Sequence, residues 1–87
     1  QPLMPDPDVI EQRMNDQMVL LHLRTNQFYQ LNHTAARLWE LIRDGQTENQ
    51  IQEQLLEEFE IEPDQLKAEL QQMIATFEAQ KLVIIHD

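Results

Sequence analysis

Eighty-seven residues with 16 acidic and 6 basic side chains give a formal charge of −10, which repels nucleic-acid phosphates and anionic membrane surfaces. At 41% hydrophobic the chain can bury one small core but not two, so a single domain is expected over residues 1–87. The absence of cysteine excludes disulfides, thiolate zinc sites, thiol nucleophiles and self-ligated iron–sulfur clusters.

No run is long and apolar enough to span a bilayer, and no N-terminal stretch resembles a signal peptide, so the expected location is cytoplasmic. Residues 1–8 hold Pro2, Pro5 and Pro7 and read as an extended lead-in, because proline blocks both helix and ladder pairing. Residues 9–31 read as a three-stranded antiparallel sheet. Val9 to Met14 and Gln17 to Leu23 flank Asn15-Asp16, a pair that tolerates the positive φ of a tight turn, and Thr25-Asn26 repeats the device before Phe28 to Leu31.

If both turns take two residues, Ile10, Met14, Val19, Leu21, Leu23 and Phe28 share one face. Val9, Met18, Leu20, His22, Tyr29 and Leu31 then share the other with Glu11 and Arg13. The first set is the expected buried face.

Residues 33–80 read as three helices. Asn32 can cap the first with its side-chain oxygen, joining strand to helix with almost no loop. Ala35, Leu38, Trp39 and Ile42 form its inner stripe, and Gly45, the one glycine, sits where a helix end needs positive φ. Thr47 and Gln50 make a capping box for the second helix, striped by Ile51, Leu55, Leu56 and Phe59. Pro63 opens the third, striped by Leu66, Leu70, Met73 and Phe77. Leu38, Trp39, Leu55, Phe59, Leu70 and Phe77 are expected to be buried together. Residues 82–87 form an apolar tail that reads as an extra strand, paired within the domain or across a dimer. The fold class is therefore α+β, a three-stranded antiparallel sheet followed by three helices in the order βββααα, as in winged-helix architectures.

Chemistry is sparse. His22, His33 and His86 lack a partner at metal-ligand spacing, so no metal is expected. His22 reads as a half-buried packing residue of a strand and His33 as a loop residue. There is no serine, and no glycine-rich loop to hold a phosphate. The carboxylates between Arg43 and Lys67 recur at helical spacing and read as a solvated face, with a docking surface for a basic partner as the alternative, whereas acid–base catalysis needs burial to bring a pKa towards neutrality. The chain is expected to be no enzyme and to carry no cofactor.

The run Val19-Leu20-Leu21-His22-Leu23-Arg24-Thr25-Asn26-Gln27-Phe28-Tyr29-Gln30-Leu31-Asn32, followed by Thr34-Ala35-Ala36-Arg37-Leu38-Trp39-Glu40-Leu41, Asp44-Gly45, and Thr47 with Ile51 and Leu55, resembles the peptide chaperones of the pyrroloquinoline quinone biosynthesis D type. Within that group it is most similar to the stand-alone leader-recognition protein of lasso-peptide pathways. The resemblance departs at Asn26, Ala35 and Lys81, where relatives commonly have glycine. It implies a domain that binds the leader segment of a ribosomally made precursor peptide beside the third strand and against the third helix. It also implies delivery of that peptide to a separate enzyme, here the leader peptidase of a lasso pathway. The alternatives are a chaperone serving a radical-SAM enzyme, as in quinone biosynthesis, and a winged-helix regulatory or interaction module.

The unpaired edge of the third strand agrees with that reading, because Gln27, Phe28, Tyr29, Gln30 and Leu31 include no charge or proline to blunt it. Pockets for the peptide's side chains are expected on one flank of the third helix: Asp64, Lys67, Leu70, Gln71 and Ile74. In this reading Lys67 anchors a peptide carboxylate or carbonyl, while Asp64 and Glu69 favour a peptide with some positive charge.

Overall fold

The computed structural model describes residues 3–15 and 17–85. The described residues form five strands, β1 (Leu3–Pro5), β2 (Val9–Met14), β3 (Gln17–His22), β4 (Gln27–Leu31) and β5 (Val83–Ile85), and three helices, α1 (His33–Arg43), α2 (Glu48–Glu58) and α3 (Pro63–Ala79). The helices lie between β4 and β5 in the chain. The sheet order is β2-β3-β4, antiparallel, and β1 pairs separately with β5.

Leu31 ends β4 with its side chain buried, and Asn32 at once accepts the Ala35 N–H at 2.8 Å as the cap of α1. A helix starting one residue after a strand turns back over the face that the last strand residue occupies. Parity along the pleat then assigns Met18, Leu20 and His22 to the same buried face. This reverses the expected choice. Ile10, Met14, Leu23 and Phe28 are exposed, Phe28 to 70%. Glu11 and Arg13, which share the inner face, lie on β2 at its margin and reach α1. The Trp39 indole N–H donates to Glu11 at 3.0 Å, Arg43 pairs with the other Glu11 oxygen, and Arg13 pairs with Glu40.

Met14 faces Gln17, so the first turn takes two residues, with Asn15 at φ 58. Its other residue, Asp16, lies outside the described residues. The second connection takes four residues, Leu23 to Asn26, because His22 faces Gln27. Asn26 still supplies the positive φ, 57, and its N–H donates to the His22 carbonyl. Lengthening the turn by two shifts the register by two, which preserves which side chains share a face.

The described residues nearest each end of the chain form strands. Leu3 and Met4 between two prolines are enough for a strand that pairs with the tail, Leu3 facing Ile85 and Pro5 facing Val83. A strand with a free edge tolerates proline, so the lead-in is an element after all. His86 and Asp87 lie outside the described residues. Beneath this ladder a polar knot joins distant segments. His22, fully buried, donates from Nε2 to the Lys81 carbonyl at 3.0 Å and accepts the Arg24 N–H on Nδ1. Asp6, also buried, pairs with the Arg24 guanidinium, and its N–H donates to the Leu82 carbonyl. Among the described residues no buried side-chain polar atom lacks a partner, as expected where leaving one unpaired is costly.

The core fills the space between sheet and helices. Leu38, Trp39, Leu55, Leu70 and Phe77 are buried together, and Phe59 packs half-buried against them. Trp39 meets Phe77 edge to face at 6.1 Å, a favoured aromatic geometry. Arg37 of α1 grips Glu58 of α2 with two parallel bonds of 2.7 Å, and this pairing holds the Glu58 carboxyl below the usual carboxylate range. Its contribution to stability is therefore present above that range and fades as acid protonates Glu58.

Helices α1 and α3 end in the same device. The N–H groups of Gly45 and Gln46 return to the Ile42 and Leu41 carbonyls, and those of Lys81 and Leu82 to the Glu78 and Phe77 carbonyls. The left-handed residue is Gly45 in the first case, at φ 84, but Lys81 in the second, at φ 60. Lys81→Gly is expected to relieve about 1 kcal/mol of backbone strain and so to raise the melting temperature. An unchanged or lower midpoint would show that the strain is not there.

Two core substitutions bracket the other side. Trp39→Ala should cost about 3–5 kcal/mol, a large share of the roughly 5–15 kcal/mol that holds a domain together. Ile74 is 7% exposed, so Ile74→Glu should lower the denaturant midpoint sharply by burying an unpaired carboxylate. Equilibrium unfolding checks both.

Candidate functional site

β3 is the central strand, so β4 has one side without a strand partner. Along that side alternate N–H and C=O groups point away from the sheet, available to an extended chain. α3 runs past the same edge. Between them lies an open cleft of about 480 Å³ lined by Tyr29, Gln30, Leu31 and Asn32 from β4 and its end, and by Thr34 and Ala35 from the start of α1. The helical wall is Glu69, Gln72, Met73, Thr76, Phe77 and Gln80, residues three or four apart that share one face of α3.

The lining is graded. Leu31 and Phe77 are buried, Tyr29 and Met73 are half-buried, and Gln72 and Thr76 are exposed. A pocket with an apolar floor, a polar rim and free backbone groups along one wall has what an added strand needs. Main-chain bonds hold it, and every second side chain enters the floor. The floor has no candidate nucleophile, and among the described residues no group of histidines and carboxylates could hold a metal ion.

A second open cavity of about 710 Å³ continues from the first. It is lined by Phe59, Glu60, Ile61, Glu62, Gln65 and Leu66, and shares Thr34 and Glu69 with the cleft. His33, the first residue of α1, stacks edge to face on Phe59 at 5.5 Å beside it.

Of the ten residues expected from sequence, Tyr29, Gln30 and Leu31 line the cleft. Gln27 starts the same strand, and Phe28 points to the outer face of the sheet. The five on α3 do not line it. Leu70 and Ile74 are core, while Asp64, Lys67 and Gln71 are exposed away from the cleft. The helical stripe was correctly placed, but it has two flanks, and the one that faces β4 carries Gln72, Thr76 and Gln80. Charge was the available signal. Asp64, Lys67 and Glu78 mark one flank, whereas the other is mostly amide and hydroxyl, and charged groups are depleted at the centre of binding surfaces.

Comparison with known proteins places this geometry. Among curated proteins no match to the sequence is found. One solved structure, TbiB1 in complex with the TbiA(beta) leader peptide, superposes with a TM-score of 0.90 at 20% identity, covering 97% of this chain and 98% of that one. Another, lasso peptide synthetase B1 complexed with the leader peptide, gives 0.89 at 21% identity, covering 98% and 100%. At such identities the likeness is one of fold. The sequence itself matches the family described as Coenzyme PQQ synthesis protein D over residues 17–83, more than half of its length, and the chain belongs to that PqqD family.

Proposed function

We propose that this protein binds the leader segment of a ribosomally synthesised precursor peptide as a fourth strand on β4 and delivers it to a separate modifying enzyme. The observation that carries the reading is the cleft, in which an unpaired strand edge faces a helix across an apolar floor of Leu31 and Phe77. Two structures of the same fold were solved with leader peptides bound, which supports the same ligand class here. One of them is described as a lasso peptide synthetase B1, and the enzyme served is on that ground a lasso leader peptidase. The alternative enzyme, a radical-SAM partner in quinone biosynthesis, draws its support from the family description.

The protein acts in this scheme by presentation. Pairing with β4 holds the leader extended, each main-chain bond contributing about 0.5–1.5 kcal/mol net, while the modified part of the precursor remains outside the cleft. No catalytic step, metal or cofactor is assigned to the chain. The work takes place in the cytoplasm, where the precursor is made. A duplex-binding role is disfavoured by the charge of −10.

Titrating the isotope-labelled chain with its cognate leader peptide is expected to shift amides of Gln27 to Leu31 together with Gln72, Met73, Thr76 and Gln80. A footprint confined to α2 would contradict the reading. Thr76 is exposed and its hydroxyl only returns to the Gln72 carbonyl, so Thr76→Arg should fold normally yet weaken leader binding about tenfold or more by filling the cleft. Calorimetry on the wild type and Thr76→Arg measures that ratio.

A further inference from the structure

We propose that Glu69 makes the cleft selective for a peptide with lysine or arginine at the position that passes Thr34, an inference that rests on the peptide-binding reading above. Glu69 is the one charged side chain among the residues lining the β4–α3 cleft. It also lines the adjoining cavity with Thr34, which places it at the junction where a strand leaving the cleft must pass. It is exposed, and among the described residues it takes part in no ion pair.

The protein has little positive charge of its own to offer there. All four arginines are paired elsewhere: Arg13 with Glu40, Arg24 with Asp6 and Asp8, Arg37 with Glu58 and Glu40, and Arg43 with Glu11 and Asp44. Lys67 lies outside both cavities, and so does Lys81. Beyond Glu69 the wall continues through Glu62 and Glu60, with no base among the lining residues. A peptide carboxylate at this point meets repulsion, and a peptide cation meets the only counter-charge the cleft provides. The rest of the helical wall is amide, hydroxyl and apolar, and discriminates by shape alone. Glu69 thereby fixes which register of an otherwise sequence-tolerant strand is accepted.

The probe is a positional-scanning library of short peptides, each position fixed in turn as Lys, Arg, Gln or Glu, presented to the full chain at low and high salt. The wild type should prefer Lys or Arg over Glu at one position by about three- to tenfold, the range for a partly exposed pair set against a like-charge contact. Added salt should shrink the preference. Glu69→Gln should abolish it and Glu69→Lys reverse it, while Glu53→Lys on the far helix α2, which changes net charge equally, should leave it intact. Binding without a charge preference, or a preference moved as much by Glu53→Lys as by Glu69→Lys, overturns the inference and leaves the peptide reading standing. Binding of no peptide at all overturns both.

Discussion

The strand-to-helix joint at Leu31 and Asn32 is the constraint on which the rest of the structure depends. A single capping bond, Ala35 N–H to the Asn32 side chain, lets α1 begin without a loop, and the helix must then cover the face on which Leu31 lies. Burial of Met18, Leu20 and His22, exposure of Phe28, and the reach of Glu11 and Arg13 to Trp39, Arg43 and Glu40 follow from that parity. The same joint keeps α1 clear of the β4 edge. Only its first residues, Thr34 and Ala35, touch the cleft, so the edge stays open to a ligand instead of being covered by the domain's own helix.

The far end of the cleft is fixed by a different kind of contact. α3 is held in the core by burial of Leu66, Leu70, Ile74 and Phe77. Its last turn is tied to the hairpin by the bond from His22 to the Lys81 carbonyl, and to the lead-in by Asp6 and Leu82. An open edge is tolerable only on a rigid frame, because a loose one invites unselective pairing. The polar knot and the β1–β5 ladder, which buries Leu3 and Val83 in the core beside Leu82, supply that rigidity. Dense carboxylates on α2 and near the start of α3 give the chain a net charge of −10, and charge of that size favours solubility in a protein with an exposed edge and an uncharged outer sheet face.

Much of this was legible in the sequence wherever the signal was local. Thr47 with Gln50, Gly45, Pro63 and Asn32 each act through a few neighbouring atoms, and each does in the structure what its chemistry dictates. The grouping of sheet residues into two faces was legible for the same reason, since period two survives a change of turn length. Choosing between the faces was not, because it depends on which side α1 crosses, and the partners of Glu11 and Arg13 lie on α1, far along the chain. The α3 wall failed similarly. A stripe of Leu66, Leu70 and Phe77 defines the buried line of a helix but not which flank meets a strand far away in the chain. The Leu3–Pro5 strand was hidden because its partner lies at the opposite end of the sequence.

The central claim is that a peptide becomes the fourth strand of this sheet, and the molecule contains its own control. β2 and β4 are the two edges of one sheet, yet only β4 faces α3 across the cleft. Amide hydrogen exchange, measured residue by residue with and without saturating leader peptide, should slow the outward-pointing N–H groups of Gln27 to Leu31 while those on the free edge of β2 keep their rates. Protection on β2, or unchanged exchange on β4 when the peptide is bound, would contradict the account.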